Sequence, residues 1–128
     1  MSARLASRFA ALKRQGRAGL VAYVMASDPD HERCFEILRG LPSAGADVIE
    51  LGFPFTDPMA DGPSVQKAGL RALKAGGSLK QTLELARRFR ETDKDTPLIL
   101  MGYANPIESM GYEAFAKAAP LLRPLATI

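Results

Sequence analysis

The sequence predicts an α/β domain with parallel strands, and three observations lead to this fold class. Short apolar runs alternate three times with stretches of helical periodicity along the 128 residues,. The composition, 47% hydrophobic and 24% charged, is that of an ordinary globular domain,. No linker divides residues 1–128, which we interpret as one domain. Strands separated by helices run parallel, but periodicity leaves open whether they form an open sheet or a closed barrel.

The first element is predicted to be a basic, amphipathic helix. Leu5, Phe9 and Leu12 recur at helical spacing, and Gly16 ends the pattern,. This stretch is typical of a first helix that packs on the domain, and the alternative is a mitochondrial transit peptide. The continuous apolar run 20–25 then predicts a strand that is buried on both faces,.

A helix is predicted directly after this strand. Residues 27–30 supply an N-cap, and Pro29 is suited to a first helical turn,. Cys34 and Leu38 lie on the apolar face, so we expect Cys34 to pack in the core. His31 lies in the polar first turn, where we expect it to be solvated.

The next elements are separated by clear breaks. Residues 47–53 predict a second strand, which the proline-rich segment 54–63 cannot continue,. Helical spacing resumes over 65–72, and Ser78 begins a further helix with a capping-box signature. The remaining predicted elements are a strand over 97–102 and a helix over 112–119.

Charge, hydropathy and motifs exclude several function classes. The net charge of +3 is small and dispersed, so no nucleic-acid partner is predicted,. The longest strongly apolar run is far shorter than the roughly 20 residues of a membrane span, and no membrane association is predicted. One cysteine cannot form an internal disulfide, so a cytoplasmic location is expected,. No metal site and no nucleotide-binding motif are predicted, because the spacings these sites require are missing.

Glu50 is the most informative single residue. It interrupts a strand that is otherwise suited to burial, and a buried carboxylate without a partner is costly,. One interpretation is a carboxylate paired with an arginine or with backbone amides. The other is a general acid or base near the carboxyl end of a parallel strand, where loops build the active site.

Asp61 follows Glu50 by eleven residues, at a turn that leads into a helix. An aspartate in this position is typical of an N-cap. Alternatively, the two carboxylates divide the chemical work. One would then exchange protons while the other stabilises a developing positive charge. Spacing leaves both interpretations open.

The string over residues 50–63, ELGFPFTDPMADGP, closely resembles the signature of the tryptophan synthase alpha chain family. The likeness extends upstream through 23–29 and 44–47, and downstream through 100–106 to about Ala119. It implies a partial TIM (β/α)8 barrel, made of an N-terminal helix and the first three β/α units, in which the barrel is not closed. The tail 120–128 does not resemble the family.

The resemblance also implies a reaction, the retro-aldol cleavage of indole-3-glycerol phosphate to indole and glyceraldehyde 3-phosphate. Glu50 resembles the family's general acid/base, and Asp61 resembles the carboxylate that stabilises charge at the indole nitrogen. Tyr23 and Tyr103 resemble substrate-binding positions near the indole pocket. The positions that resemble a partner interface are Asp57, Pro58 and Asn105.

The partner implied is the tryptophan synthase beta chain, in an alpha2beta2 complex. The beta chain carries pyridoxal phosphate, and no cofactor is expected in this chain. Because the resemblance stops near Ala119, we expect a truncated chain with impaired catalysis. The alternative is a non-catalytic fragment that only docks on a beta chain. Ser27 stands where the family usually has glycine, which predicts strain if this residue has φ > 0.

Overall fold

The computed structural model describes residues 2–119, which form three strands and six helices. The strands are parallel and lie in the order β1-β2-β3, so β1 and β3 are the edges of the described sheet and the sheet does not close. The elements are α1 (Ala3–Gln15), β1 (Val21–Met25), α2 (His31–Gly40), β2 (Val48–Gly52), α3 (Pro63–Lys74), α4 (Leu79–Thr92), β3 (Leu98–Met101), α5 (Ala104–Met110) and α6 (Tyr112–Ala118).

Every predicted strand and helix is present, and the residues that predicted helix ends act as caps there. Gly16 ends α1 with a positive φ of 63°, which an L-residue rarely adopts,. The Ser78 side chain accepts a hydrogen bond from the backbone N–H of Gln81 and so caps α4,. The predicted tail over 120–128 lies outside the described residues.

One predicted helix start is wrong, and one short helix was not predicted. Pro29 precedes α2 instead of lying in its first turn, because the Asp30 side chain accepts from the backbone N–H of Arg33 and caps a helix that starts at His31. Asn105 lies in the first turn of α5, a helix that was not predicted from the sequence. The helix α5 was missed because its sequence, ANPIESM, contains a proline and is only seven residues long,.

The two faces of the sheet have different surroundings. Ile49 and Leu51 of β2 are fully buried in the core. They pack with Leu38 of α2 and Phe89 of α4. Residues of opposite parity, including Glu50, point to the other face, because side chains alternate along a strand. The helices α2 and α4 therefore pack on one face of the sheet, and Glu50 lies on the other face.

Asp47 joins α1 to the amino ends of the first two strands. Its two carboxylate oxygens accept from both terminal nitrogens of Arg17, at 2.9 and 2.8 Å. One of them also accepts from the backbone N–H of Leu20 at 2.9 Å. The hydrogen bonds from Arg17, followed by that from Leu20, lower the pKa of Asp47 well below its ordinary value,.

We expect Asp47→Asn to lower the melting temperature at neutral pH by roughly 5–10 °C, because the charge-assisted hydrogen bonds are lost. A carboxylate whose pKa is depressed in the folded state stabilises it above the unfolded pKa, near 4, and loses this effect as the pH falls. The gap between wild type and Asp47→Asn should therefore close as the pH is lowered from about 5 to about 2. The exposed Asp95→Asn is the control, and a pH-independent gap would contradict the prediction.

None of the helices within residues 2–119 has both the length and the apolar character needed to cross a bilayer.

Candidate active site

The candidate site lies at the carboxyl edge of the sheet. Parallel strands place their carboxyl ends at one edge, so the connections after β1, β2 and β3 meet there,. Glu50 lies in β2, beside Tyr23 of β1 and Ile99 of β3 in the register of the sheet. Partners in register point to the same face, so Tyr23 and Glu50 project from the sheet side by side.

The Glu50 side chain has no polar partner in the described part of the chain. Within residues 2–119 it makes no hydrogen bond and no ion pair. The pairing with an arginine that the sequence left open is therefore not found there. The acidic residues that do pair with arginines lie elsewhere, such as Asp47 with Arg17 and Asp28 with Arg71.

Tyr23 shows that the predicted site residues come together. Burial, followed by the charges of Asp61 and Glu50 and by Tyr103, raises its pKa to about 12,. Such electrostatic effects require proximity, so two tyrosines and two carboxylates share one region. We call Tyr23, Glu50, Asp61 and Tyr103 the site cluster.

Two glycines permit close contacts at this edge. A Cβ atom on Gly52 would lie 2.2 Å from the hydroxyl oxygen of Tyr23, so the tyrosine can extend across β2 only because residue 52 has no side chain,. A Cβ on Gly102 would likewise lie 2.4 Å from the ring of Phe53. The rings therefore occupy space that any other residue would fill.

Asp61 does not cap a helix. The N-cap of α3 is Gly62, which makes no side-chain hydrogen bond, and Pro63 is the first helical residue,. The Asp61 side chain instead lines a narrow cleft together with Phe55 and Tyr103. Among residues 2–119, no hydrogen bond or ion pair to its carboxylate is found. The N-cap interpretation is therefore wrong.

The loop between β2 and α3 is held from two sides. Tyr103 accepts a hydrogen bond from the backbone N–H of Ala60 at 2.8 Å, and its ring lies 5.4 Å from that of Phe55. Gln66 of α3 donates from Nε2 to the carbonyl oxygen of Asp61 at 2.8 Å. Phe55 and Gln66 were not identified as site residues from the sequence. Phe55 could have been noticed as an aromatic residue in a proline-rich loop.

Two of the three residues predicted for a partner interface are exposed. Asp57 is exposed, and its carboxylate accepts from the hydroxyl of Thr56 at 2.7 Å. Pro58 is half-buried and lines the same cleft as Asp61. The neighbouring Met59 is 91% exposed, which is unusual for a large apolar side chain,. Asn105 is exposed on α5.

Metal-binding chemistry has no visible basis in the described part of the chain. Residues 2–119 contain no group of three or more histidine, cysteine or acidic side chains arranged to hold a metal ion. Cys34 is buried, as predicted from the apolar face of its helix, and burial raises the pKa of its thiol,.

Comparison with known proteins agrees with this geometry. A model of the family described as tryptophan synthase alpha chain matches residues 9–121. The chain belongs to the tryptophan synthase alpha chain family. It is 60% identical over 112 residues to the alpha chain of Granulibacter bethesdensis, covering 88% of this chain and 40% of that one. It is 59% identical over 116 residues to the alpha chain of Caulobacter vibrioides, covering 91% and 42%.

A solved structure confirms the fold. The crystal structure of tryptophan synthase subunit alpha from Legionella pneumophila is 44% identical, with a TM-score of 0.88, and covers 93% of this chain and 45% of that one. The open sheet of three β/α units is therefore the partial TIM barrel that the resemblance implied. The chain spans about 40% of the length of the two curated relatives above.

Ser27, which stands where the alpha chain family usually has glycine, adopts φ +69° and is buried. The condition under which strain was expected is therefore met, and this left-handed conformation costs an L-residue roughly 1–2 kcal/mol,. Ser27 Oγ lies 2.8 Å from His31 Nδ1, at hydrogen-bonding distance. The expectation that His31 is merely solvated is therefore wrong, since its ring pairs with this buried hydroxyl.

Proposed function

We propose that this chain carries the acid–base half of the tryptophan synthase alpha site, which cleaves indole-3-glycerol phosphate to indole and glyceraldehyde 3-phosphate. One observation supports this most directly. Glu50 projects from the free face of the sheet without a partner in residues 2–119, in the same small region as Asp61. A carboxylate without a partner at the carboxyl edge of a TIM-type sheet suits proton transfer better than structure.

The proposed reaction needs two proton transfers and no cofactor in this chain. Glu50 in its acid form gives a proton to the indole carbon that bears the glycerol chain, and the ring becomes cationic. The carboxylate then takes the proton of the adjacent hydroxyl group. That oxygen forms a carbonyl, the carbon–carbon bond to the ring breaks, and its electron pair returns to the ring as neutral indole. Glu50 ends in its starting form.

Asp61 is proposed to stabilise the cationic ring. A carboxylate without a partner in residues 2–119 can accept from the indole N–H while positive charge develops there,. The aromatic rings of Phe55 and Tyr103 provide flat apolar surface in the cleft that Asp61 lines,. The ring of Tyr23 lies close enough to Asp61 and Glu50 to be influenced by their charges. These three rings are proposed to bind the indole ring.

The proposed partner is a tryptophan synthase beta chain, in an alpha2beta2 complex, with pyridoxal phosphate held by the beta chain. The proposed contact surface is the loop of Asp57, Pro58 and Met59, together with Asn105. Of these residues, all but the half-buried Pro58 are exposed. An exposed methionine at a loop tip is typical of an interaction surface. The same observation favours a second candidate function, in which the chain docks on a beta chain without catalysing the reaction.

One experiment separates these functions. The 128-residue chain is assayed for indole release from indole-3-glycerol phosphate, alone and with a beta chain, beside the Caulobacter vibrioides alpha chain. We expect release to be slower by about tenfold or more, because the described residues lack the later barrel loops that hold substrate phosphate. Turnover equal to that of the longer relative would contradict the proposed impairment.

Docking is measured in the same samples by capture on an immobilised beta chain. Asp57→Ala should weaken capture by about tenfold if this loop is central to the interface, whereas the exposed Asp95→Ala should not,. Capture that is unaffected by Asp57→Ala would contradict the proposed contact surface. Capture without any indole release would favour the docking function.

A further inference from the structure

We propose that the hydroxyl group of Tyr23 is the hydrogen-bond donor that this site offers to the substrate oxygen from which Glu50 removes a proton. This inference rests on the proposed function and adds one polar contact to it. The other expected role of Tyr23 is only to present an aromatic surface to the indole ring.

The position of the hydroxyl is the first step. Tyr23 and Glu50 are register partners on adjacent strands, so both side chains leave the sheet at the same level and on the same face,. The tyrosine ring then extends along the sheet, and its hydroxyl oxygen occupies the space that a Cβ on Gly52 would fill. Gly52 follows Glu50 by two residues on the same face of β2, toward the carboxyl edge. The hydroxyl therefore lies beside Gly52, two residues from Glu50 along the same face of β2 and on the loop side.

The second step is the hydrogen bonding of this hydroxyl. Its acceptor in the structure is the thioether sulfur of Met25, at 3.9 Å. A thioether is a weak acceptor, so the hydroxyl of the half-buried Tyr23 has no strong acceptor among residues 2–119,. A ligand oxygen that enters the site can replace the sulfur at little cost. The hydroxyl is thus poised to donate to a ligand.

The third step is the charge around the phenol. Glu50 and Asp61 both disfavour the phenolate, in addition to burial, so the group keeps its proton throughout the physiological range,. A phenol that stays protonated can donate a hydrogen bond to an oxygen that gains negative charge. The glycerol-chain hydroxyl oxygen gains such charge as Glu50 takes its proton and before the carbonyl forms. The contact would thus strengthen toward the transition state.

The placement of Tyr23 can be tested without turnover in the 128-residue chain. The three tyrosines, Tyr23, Tyr103 and Tyr112, are replaced by 3-fluorotyrosine, whose phenol is more acidic, and titrated by ¹⁹F NMR. We expect the signal that is lost in Tyr23→Phe to titrate at a higher pH than free 3-fluorotyrosine. Glu50→Gln and Asp61→Asn should each lower that midpoint. Tyr112→Phe, a change at an exposed ring, is the control that should leave it unchanged.

The donor role is tested by single-turnover indole release with the chain in excess over indole-3-glycerol phosphate. Tyr23→Phe keeps the ring and should slow release about tenfold, the effect of losing one hydrogen bond to a charged oxygen. Tyr112→Phe should match the wild type. A Tyr23→Phe rate equal to wild type, while Glu50→Gln still abolishes release, would overturn this inference and leave the proposed function intact.

Release that is insensitive to Glu50→Gln would instead contradict the proposed function. If no release is detected at all, the titration decides the inference. A Tyr23 signal that titrates at the pH of free 3-fluorotyrosine, or that ignores both carboxylate substitutions, would overturn it.

Discussion

Glu50→Gln should lower the rate of indole release about a thousandfold, because general acid–base catalysis contributes roughly 10²- to 10⁴-fold and one residue here makes both proton transfers. Glutamine preserves the size of the side chain but can neither give nor take the proton. The described residues offer no ion pair or hydrogen bond to Glu50 that the substitution would break, so the fold should be unaffected. The loss should therefore appear in kcat, with little change in melting temperature.

The measurement needs a chain with the complete barrel. A chimaera in which residues 1–119 replace the matching part of the Caulobacter vibrioides alpha chain provides it, since the two are 59% identical over 116 residues. Glu36→Gln, at an exposed position on α2, is the matched control and should retain full activity. Retention of activity in Glu50→Gln would reject its assignment as the general acid/base. A loss of activity that is accompanied by a large drop in melting temperature would indicate a structural role.

Asp61→Asn should slow the same chimaera by about a hundredfold, the effect of removing one preorganised group that stabilises transition-state charge. The asparagine oxygen can still accept from the indole N–H, so the substrate should bind with a KM close to that of the wild type. The negative charge is lost, however, and with it the stabilisation of the cationic ring. The effect should therefore fall mainly on kcat.

Asp95→Asn, at an exposed aspartate on the opposite edge of the sheet, before β3, is the control for Asp61→Asn. A second comparison is more specific. Glu50 and Asp61 are proposed to act on the same transition state. The rate of the Glu50→Gln, Asp61→Asn double variant should therefore fall by less than the product of the two single effects. Full multiplicativity would indicate two independent sites and would contradict the proposed division of work.

The sequence alone predicted the order and type of nearly every element. Periodicity and glycine or serine caps are local signals, and they placed α1, α4 and the three strands correctly,. The short helix α5 escaped because its local sequence resembles a turn. The composition indicated an ordinary globular domain, and the motif over 50–63 indicated the family.

Only the tertiary structure decided which of the acidic residues form ion pairs or helix caps. Whether Glu50 or Asp47 would find an arginine depends on contacts between distant parts of the chain, and the structure pairs Arg17 with Asp47, thirty residues away. Glu50 makes no such contact within residues 2–119. Similarly, the N-cap of α3 goes to Gly62 and not to Asp61, which turns the carboxylate toward the cleft.

The same division explains the site cluster. Sequence spacing places Tyr23, Glu50 and Tyr103 on three separate strands or strand ends, and no local rule says that their side chains meet. Register and side-chain alternation bring Tyr23 and Glu50 to one face, and the missing side chain at Gly52 lets the Tyr23 hydroxyl extend across β2. Tyr103 follows β3 at the same edge of the sheet. Local sequence therefore determined which chemical groups are present. Packing between elements determined which of them remain available for chemistry, because only the folded chain shows which partners are within reach.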